Sequence, residues 1–298
     1  MRFDEIIGNE KIKEELKRSL EEDKVSHSYM FVGIDGIGKQ LIAKAFAQMI
    51  LCTNETEKGC DKCKSCIEFQ SQNHPDFLYI EPDGNSIKIE QIRYLQRKIQ
   101  EKPIISNKKV YIINDADKMT QEAQNCLLKT LEEPPEYSII ILIGSNENAF
   151  LNTIKSRCMK LTFQPIASEE IKQYMEKTYG MSNINENMLE AFQGSIGKAI
   201  ALKDKKEEYE NIEKMIEKLD KTDMTELMQL GSALYQSKEE INDILEYMNI
   251  VLLKMTKENV KYANCIDIVE NTKKRLHQNA NYDMCIDNMI FNMWEEVN

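Results

Sequence analysis

A glycine-rich stretch near the N-terminus has the composition of a loop that binds phosphate. It runs Gly33-Ile34-Asp35-Gly36-Ile37-Gly38-Lys39-Gln40, between a predicted strand and a predicted helix. In this G-x-x-x-x-G-K spacing, glycines let backbone N–H groups surround phosphate oxygens, and the lysine adds positive charge. The candidate nucleotide-binding residues of the loop are Gly33, Gly36, Gly38, Lys39 and Gln40.

The residues that would hold magnesium and activate water beside such a loop differ from those of an active ATPase. Gln40 stands where serine or threonine would offer a hydroxyl to the metal. After a predicted strand, the chain continues Asn114-Asp115-Ala116-Asp117, where Asp-Glu would be typical. Asn114 and Asp115 complete the candidate site. The glycines and Lys39 permit ATP or ADP binding without efficient hydrolysis, and the sequence leaves open whether the loop holds a nucleotide. The alternative is that Asp115 or Asp117 takes over the missing role.

Four cysteines within fifteen residues are spaced as metal ligands. Cys52, Cys60, Cys63 and Cys66 form the pattern C-x7-C-x2-C-x2-C. Four thiolates at this density suit tetrahedral Zn²⁺, and such a site is structural because no coordination position stays open. The sequence predicts one structural zinc per chain, and the alternative is unligated thiols or an accidental disulfide.

Length and composition describe a folded protein of two or three domains. The chain has 298 residues, of which 42% are hydrophobic and 30% charged. Its net charge is −11, with 23 basic against 25 acidic residues up to Pro165 and 16 against 25 beyond it. This acidity disfavours autonomous binding to nucleic acid. An acidic start and the lack of a long apolar run predict a cytoplasmic location.

Strand and helix patterns alternate in residues 1–166, which predicts an α/β domain with a parallel sheet. The predicted strands are 29–32, 77–80, 109–113, 138–143 and 160–163, and the predicted helices are 11–20, 39–51, 90–100 and 121–132. Strand 138–143 is apolar on both faces, which predicts a central position. Residues 167–206 predict a small helical domain. Residues 207–298 contain no proline and have helical periodicity, which predicts an all-α domain.

Arg157 lies in the sequence Ser156-Arg157-Cys158, beyond the apolar strand. An arginine in this place has the charge to bind a phosphate. A lone arginine is more commonly a solvated surface charge, and spacing alone favours that interpretation.

Together these motifs resemble the AAA+ clamp-loader subunits of bacterial DNA polymerase III. The resemblance covers most of residues 3–202. It is carried by His27-Ser28-Tyr29, the loop 33–39, the cysteine insertion, Leu127-Leu128-Lys129-Thr130-Leu131-Glu132-Glu133-Pro134-Pro135 and Ser156-Arg157-Cys158. It implies an AAA+ P-loop domain with a zinc module at 52–66, a helical lid at 167–206 and a C-terminal collar at 207–298 that joins subunits into a ring.

The departures from the family pattern imply a role without hydrolysis. Motor subunits of the gamma/tau type keep their metal-binding motifs and have a sensor arginine where this chain has Gly197. The resemblance therefore implies a stator that assembles with motor and delta subunits to load a sliding clamp onto primer-template DNA. It further implies that Arg157 reaches a neighbour's ATP as an arginine finger in trans.

The helix predicted at 90–100 carries three basic residues that are candidates for DNA contact within such an assembly, namely Arg93, Arg97 and Lys98. The alternative is that they form an exposed helix face without a partner.

Two other functions stay open for the whole chain. One is a gamma/tau-type ATPase motor with divergent metal ligands, which would hydrolyse ATP in isolation. The other is a zinc-containing DNA-binding protein unconnected with a clamp loader, which the acidity disfavours.

Overall fold

The computed structural model describes residues 2–54, 56–182, 184–236, 238 and 240–298. The chain folds into two compact units. Unit 1 extends to Glu170 and includes Ser195–Gly197, and unit 2 comprises 171–194 and 198–298. The division into three domains at residues 166 and 206 stays a prediction.

A five-stranded parallel sheet forms the centre of unit 1. Its strands are β1 (Ser28–Val32), β2 (Phe77–Ile80), β3 (Lys109–Ile113), β4 (Ser138–Gly144) and β5 (Met159–Thr162). They lie in the order β2-β3-β4-β1-β5, and every neighbouring pair is parallel. The predicted α/β fold is confirmed, and the strand that is apolar on both faces, β4, is central and buried along its length.

Helices cover both faces of this sheet. They are α1 (Glu10–Glu21), α2 (Lys39–Leu51), α3 (Lys64–Gln70), α4 (Ile89–Gln100), α5 (Gln121–Glu132) and α6 (Asn152–Lys155). Ile92 and Leu95 of α4 and Leu127 of α5 pack in one core with Tyr111 of β3. Because side chains alternate along a strand, other residues of the sheet face α2, where the rings of Tyr29 and Phe46 lie 5.4 Å apart.

Parallel strands bring the candidate site residues to one edge of the sheet. The carboxyl ends of β1, β3 and β4 lie side by side, so the segments that follow them also meet there. Two of these segments hold candidate site residues, namely the glycine-rich loop 33–38 and Asn114–Asp115, and the segment after β4 begins with Ser145–Asn146. The topology therefore explains why candidate residues more than 70 positions apart in the sequence lie at one edge of the sheet.

Unit 2 is entirely helical among its described residues. Its helices are α7 (Ser168–Tyr179, which begins in unit 1), α8 (Glu186–Ala191), α9 (Ile196–Leu202, which also begins in unit 1), α10 (Lys206–Glu217), α11 (Met224–Leu230), α12 (Ser232–Gln236), α13 (Ile241–Glu258), α14 (Ala263–His277) and α15 (Tyr282–Val297). Its core includes Tyr209 and Tyr247, whose rings meet edge to face at 4.7 Å. None of the described helices in either unit combines the length and apolarity needed to cross a membrane.

Candidate functional site

The glycine-rich loop has the backbone of a phosphate-binding loop, but its lysine binds the loop itself. Gly36 and Gly38 have left-handed backbone conformations, with φ of 75° and 89°, which glycine adopts without strain. Lys39 begins α2 and is buried. Its Nζ donates to the carbonyl oxygens of Gly33 at 2.5 Å and Ile34 at 2.7 Å. Burial lowers the pKa of Lys39, although the nearby carboxylate of Asp35 acts in the opposite direction.

The residues at the metal side of the loop are bound to other protein groups. The amide nitrogen of Gln40 donates to the hydroxyl of Tyr79 on β2. Asn114 donates to Asp115 Oδ1 at 3.3 Å, and Asp115 Oδ2 lies 2.9 Å from Lys118 Nζ. The residues present therefore do not match the hydroxyl and paired carboxylates that hold Mg²⁺ in active P-loop ATPases.

Asp117, which the sequence offered as a replacement ligand, supports the loop after β4 instead. Its Oδ2 accepts hydrogen bonds from the backbone N–H groups of Ser145 at 3.1 Å and Asn146 at 3.0 Å, and from Ser145 Oγ at 3.1 Å. Three donors are enough to stabilise a carboxylate in one orientation. In this structure, the carboxylate positions the ends of β3 and β4 relative to each other.

Residues Ser195–Gly197 cover the glycine-rich loop. The backbone N–H of Gly197 donates to the carbonyl oxygen of Gly36 at 2.9 Å. A Cβ atom added to Gly197 would lie only 2.7 Å from the Cα atom of Gly36, and one added to Gly36 would collide with the Ser195 side chain. The contact is therefore between two backbones, and any side chain at residue 197, including a sensor arginine, would separate them.

The four predicted metal ligands come together in one cluster. Their Sγ atoms all lie within 4.8 Å of one another, and Cys52 Sγ is 3.7 Å from Cys60 Sγ and 3.9 Å from Cys63 Sγ. Sulfur atoms around a tetrahedral zinc, each about 2.3 Å from the metal, are spaced by about 3.8 Å. The donor set and its spacing therefore fit Zn²⁺.

Backbone N–H groups contact two of the four sulfur atoms, and burial raises the pKa of a third cysteine, Cys66. Cys63 N–H donates to Cys60 Sγ, and Cys66 N–H donates to Cys63 Sγ, both at 3.4 Å. Backbone N–H groups lower the pKa of Cys60, which favours the ligand form. Asp61 lies between Cys60 and Cys63 in the sequence. Its Oδ1 accepts hydrogen bonds from Gln48 of α2 and from Gln70 of α3, each at 2.6 Å. The cluster is thus tied to the helices on both sides of it.

A buried polar network connects the cluster to the sheet. Ser65, between two of the cysteines, donates to the carbonyl oxygen of Leu51 and lies 2.9 Å from His74 Nε2. Burial lowers the pKa of His74, whose Nδ1 accepts the N–H of Asp76. The Asp76 carboxylate is fully buried and accepts backbone N–H groups from Ile104, Ile105 and Ser106 at 2.7–2.9 Å. Nothing in the spacing of the sequence pointed to this network.

Arg157 lies just after α6, and its guanidinium is held by its own chain. Nη2 lies 2.6 Å from Glu132 Oε1 at the end of α5. Nη1 donates to the carbonyl oxygen of Thr153 at 2.8 Å and to Ser156 Oγ at 3.3 Å. One third of the side chain is exposed. The structure therefore shows a partly exposed cation in a defined orientation rather than a freely solvated one. The sequence named Glu132 only as part of the motif 127–135 and did not predict its contact with Arg157.

Two of the three candidate DNA-contact residues line an open cleft between α4 and α5. Its volume is about 720 Å³, and its lining includes Arg93 and Arg97 together with Lys129. Lys98 does not line this cleft but pairs with Glu101 at 2.9 Å. Gln96 also lines the cleft and connects the two helices, since its Nε2 donates to the Cys126 carbonyl oxygen at 2.7 Å.

Comparison with known proteins assigns the chain to a family. The family model described as DNA polymerase III, delta subunit, matches residues 8–167. The DNA polymerase III subunit delta' of Bacillus subtilis is 30% identical, over 94% of both chains. The chain belongs to the DNA polymerase III delta-subunit family. Its resemblance to a clamp-loader subunit is thereby confirmed, and the interpretation as an unrelated DNA-binding protein is set aside.

A tau subunit matches only part of the chain, whereas one solved structure matches nearly all of it. The DNA polymerase III subunit tau of Bacillus subtilis is 33% identical over 68% of this chain, which is 37% of the length of tau. A gamma subunit-related protein from Thermotoga maritima has a similar structure, with a TM-score of 0.52 at 19% identity, covering 96% of this chain and 99% of its own. This likeness supports the α/β fold with its additional helical part.

Proposed function

We propose that this chain is a delta-prime-type stator of the DNA polymerase III clamp loader, which assembles with motor and delta subunits and hydrolyses little ATP itself. The observation that carries the proposal is the phosphate loop, where Lys39 binds its own loop, Gln40 binds Tyr79 and Gly197 lies on Gly36. Extensive alignment with a delta' relative along nearly the whole chain supports the same role. The cytoplasm is the location that this role requires.

In this role, Arg157 acts as an arginine finger for ATP bound to an adjacent motor subunit. It is partly exposed and oriented, and a guanidinium near the transferred phosphate stabilises the charge of the transition state. The zinc cluster contributes structure, since it has four protein ligands. Arg93 and Arg97, with Lys129, contribute positive charge toward primer-template DNA once the sliding clamp and DNA are present.

The experiment compares the isolated chain with a reconstituted assembly containing motor and delta subunits. We expect the isolated chain to show no Mg²⁺-dependent ATP turnover above background, and its addition to raise the rate of the motors. Arg157→Ala should remove this rise, because a finger is worth about 10³–10⁵ in rate at the site it serves. Arg18→Ala, which removes an exposed arginine paired with Glu22 on α1, is the matched control and should leave the rise intact.

The competing function is a motor ATPase with divergent ligands, which the 33% identity to a tau subunit favours. Turnover by the isolated chain at the rate of intact motors, lost in Lys39→Ala, would establish that function and overturn the stator. A full rise in rate with Arg157→Ala would leave the stator role but remove the finger.

A further inference from the structure

The guanidinium of Arg157 is bound on two sides by groups from different parts of unit 1. Glu132 is the last residue of α5, whereas Thr153 and Ser156 belong to α6 and its C-terminal end. The three contacts use three of the five N–H donors of the guanidinium. Nε and one N–H of Nη2 take no part in these contacts, and one third of the side chain is exposed.

Glu132 is well suited to fix this orientation. It follows Leu131, which is buried in the core beneath α5, and precedes Glu133-Pro134-Pro135, where proline restricts the backbone. Its carboxylate is half exposed and lies 2.6 Å from Arg157 Nη2. A planar guanidinium that is already oriented loses less conformational freedom when it forms further hydrogen bonds.

We propose that Glu132 is a positioning residue, which presets Arg157 for the phosphate of a nucleotide held by an adjacent subunit. This inference rests on the proposed function of Arg157 as a finger. Glu132 acts through Arg157 and does not bind the nucleotide. Its loss should therefore lower kcat of the stimulated motor ATPase, while KM for ATP stays nearly unchanged.

The test measures the ATPase rate of the reconstituted assembly minus the rate of the motors without this chain. We expect Glu132→Ala to lower the stimulated kcat by about 5- to 20-fold, because small errors in placing a reacting group are costly. Glu132→Gln, which keeps the shape and one acceptor, should lie between Glu132→Ala and the unsubstituted chain. Glu122→Gln, on the first turn of α5 and exposed, is the charge-matched control and should have no effect.

A double-mutant cycle separates positioning from a general structural effect. Because Arg157→Ala leaves no stimulated rate to measure, the cycle uses Arg157→Lys, which keeps the charge but not the planar fork. If Glu132 acts by orienting that fork, adding Glu132→Ala to Arg157→Lys should cause a much smaller fractional loss than it does in the unsubstituted chain. Equal losses in both backgrounds, or a stimulated kcat within twofold of the unsubstituted value in Glu132→Ala, would overturn the inference. An increase in the stimulated kcat of Glu132→Ala would also overturn the inference, because it would mean that the ion pair with Glu132 hinders Arg157 instead of positioning it.

Failure of the proposed function gives a different pattern. If Arg157→Ala leaves the stimulated rate unchanged, the finger role and the inference fall together. If Arg157→Ala removes the stimulation and Glu132→Ala does not reduce it, only the inference falls. Subunit stoichiometry of each purified assembly is measured alongside, and the isosteric Glu132→Gln keeps the comparison possible should Glu132→Ala not assemble.

Discussion

The phosphate loop and the cysteine cluster lie in the same unit, yet they differ in which part of a binding site they keep. The cluster has four sulfur donors at metal-binding spacing, with N–H groups directed at the sulfurs. The loop keeps its left-handed glycines, but Lys39 and Gln40 bind other protein groups. The backbone conformation of a phosphate-binding loop can therefore persist without side chains free to bind phosphate and metal. In this chain, the loop still connects β1 to α2.

Removing one ligand of the cluster should have the largest effect. We expect Cys66→Ser to reduce bound zinc from about one per chain to nearly none and to lower the thermal stability of the module, because structural zinc sites contribute about 10–16 kcal/mol in small peptides. Elemental analysis measures the metal, and limited proteolysis between residues 52 and 74 measures the local order. Chelation of the unsubstituted chain should reproduce the same cleavage.

The matched control is Cys126→Ser. Cys126 is half-buried, lies outside the cluster and donates to Gln96 Oε1, a contact that serine can also make. The Cys126→Ser chain should bind as much zinc as the unsubstituted chain and should be cleaved by protease at the same rate. A purified chain that holds no zinc and resists protease equally well would contradict the role of the cluster, which would then consist of thiols alone.

The two sites also show what a sequence reveals. Strands, helices and the cysteine cluster depend on local patterns, such as the alternation of apolar residues and the spacing of Cys60, Cys63 and Cys66, so they could be predicted. Contacts made by distant residues could not, because no local pattern records them. The Glu132–Arg157 pair and the position of Gly197 on Gly36 depend on the packing of separate segments.

Lys98 and Lys129 illustrate the same limit. Lys98 lies on α4 beside Arg97 and pairs with Glu101 outside the cleft, and its contact with DNA stays a prediction. Lys129 comes from α5 and lines the cleft with Arg97, which only the packing of two helices reveals. Helical spacing defines one face of one helix, whereas a cleft is formed by two.

Gly36→Ala should have the second-largest effect, because it tests how Ser195–Gly197 cover the loop. A side chain at residue 36 would be strained by the left-handed backbone and would collide with Ser195. We expect the free energy of unfolding to fall by about 2–4 kcal/mol, from backbone strain and overpacking together. Urea unfolding followed by circular dichroism measures it.

Gly84→Ala is the control for strain alone. Gly84 has a φ of 68°, close to that of Gly36, and nothing lies within 4 Å of the position its Cβ would take. This change should cost only about 1–2 kcal/mol. Ser195→Ala should recover part of the loss in the Gly36→Ala chain. Equal losses for both glycines would mean that Ser195–Gly197 do not pack on the loop in solution.

Restoring the metal ligands should have the smallest effect. Gln40→Thr combined with Asn114→Asp returns a hydroxyl and a carboxylate to the places where active ATPases have them. We still expect no Mg²⁺-dependent phosphate release above that of the unsubstituted chain. Lys39 continues to bind the carbonyl oxygens of its own loop, and Asp115 stays paired with Lys118, so neither a free lysine for the phosphate nor a base for water is restored. A more than tenfold rise in phosphate release, abolished by adding Lys39→Ala, would show instead that the two ligands were all that the loop lacked. The phosphate loop would then lack only the metal ligands that the cysteine cluster still has, and the segment Ser195–Gly197 would not account for its inactivity.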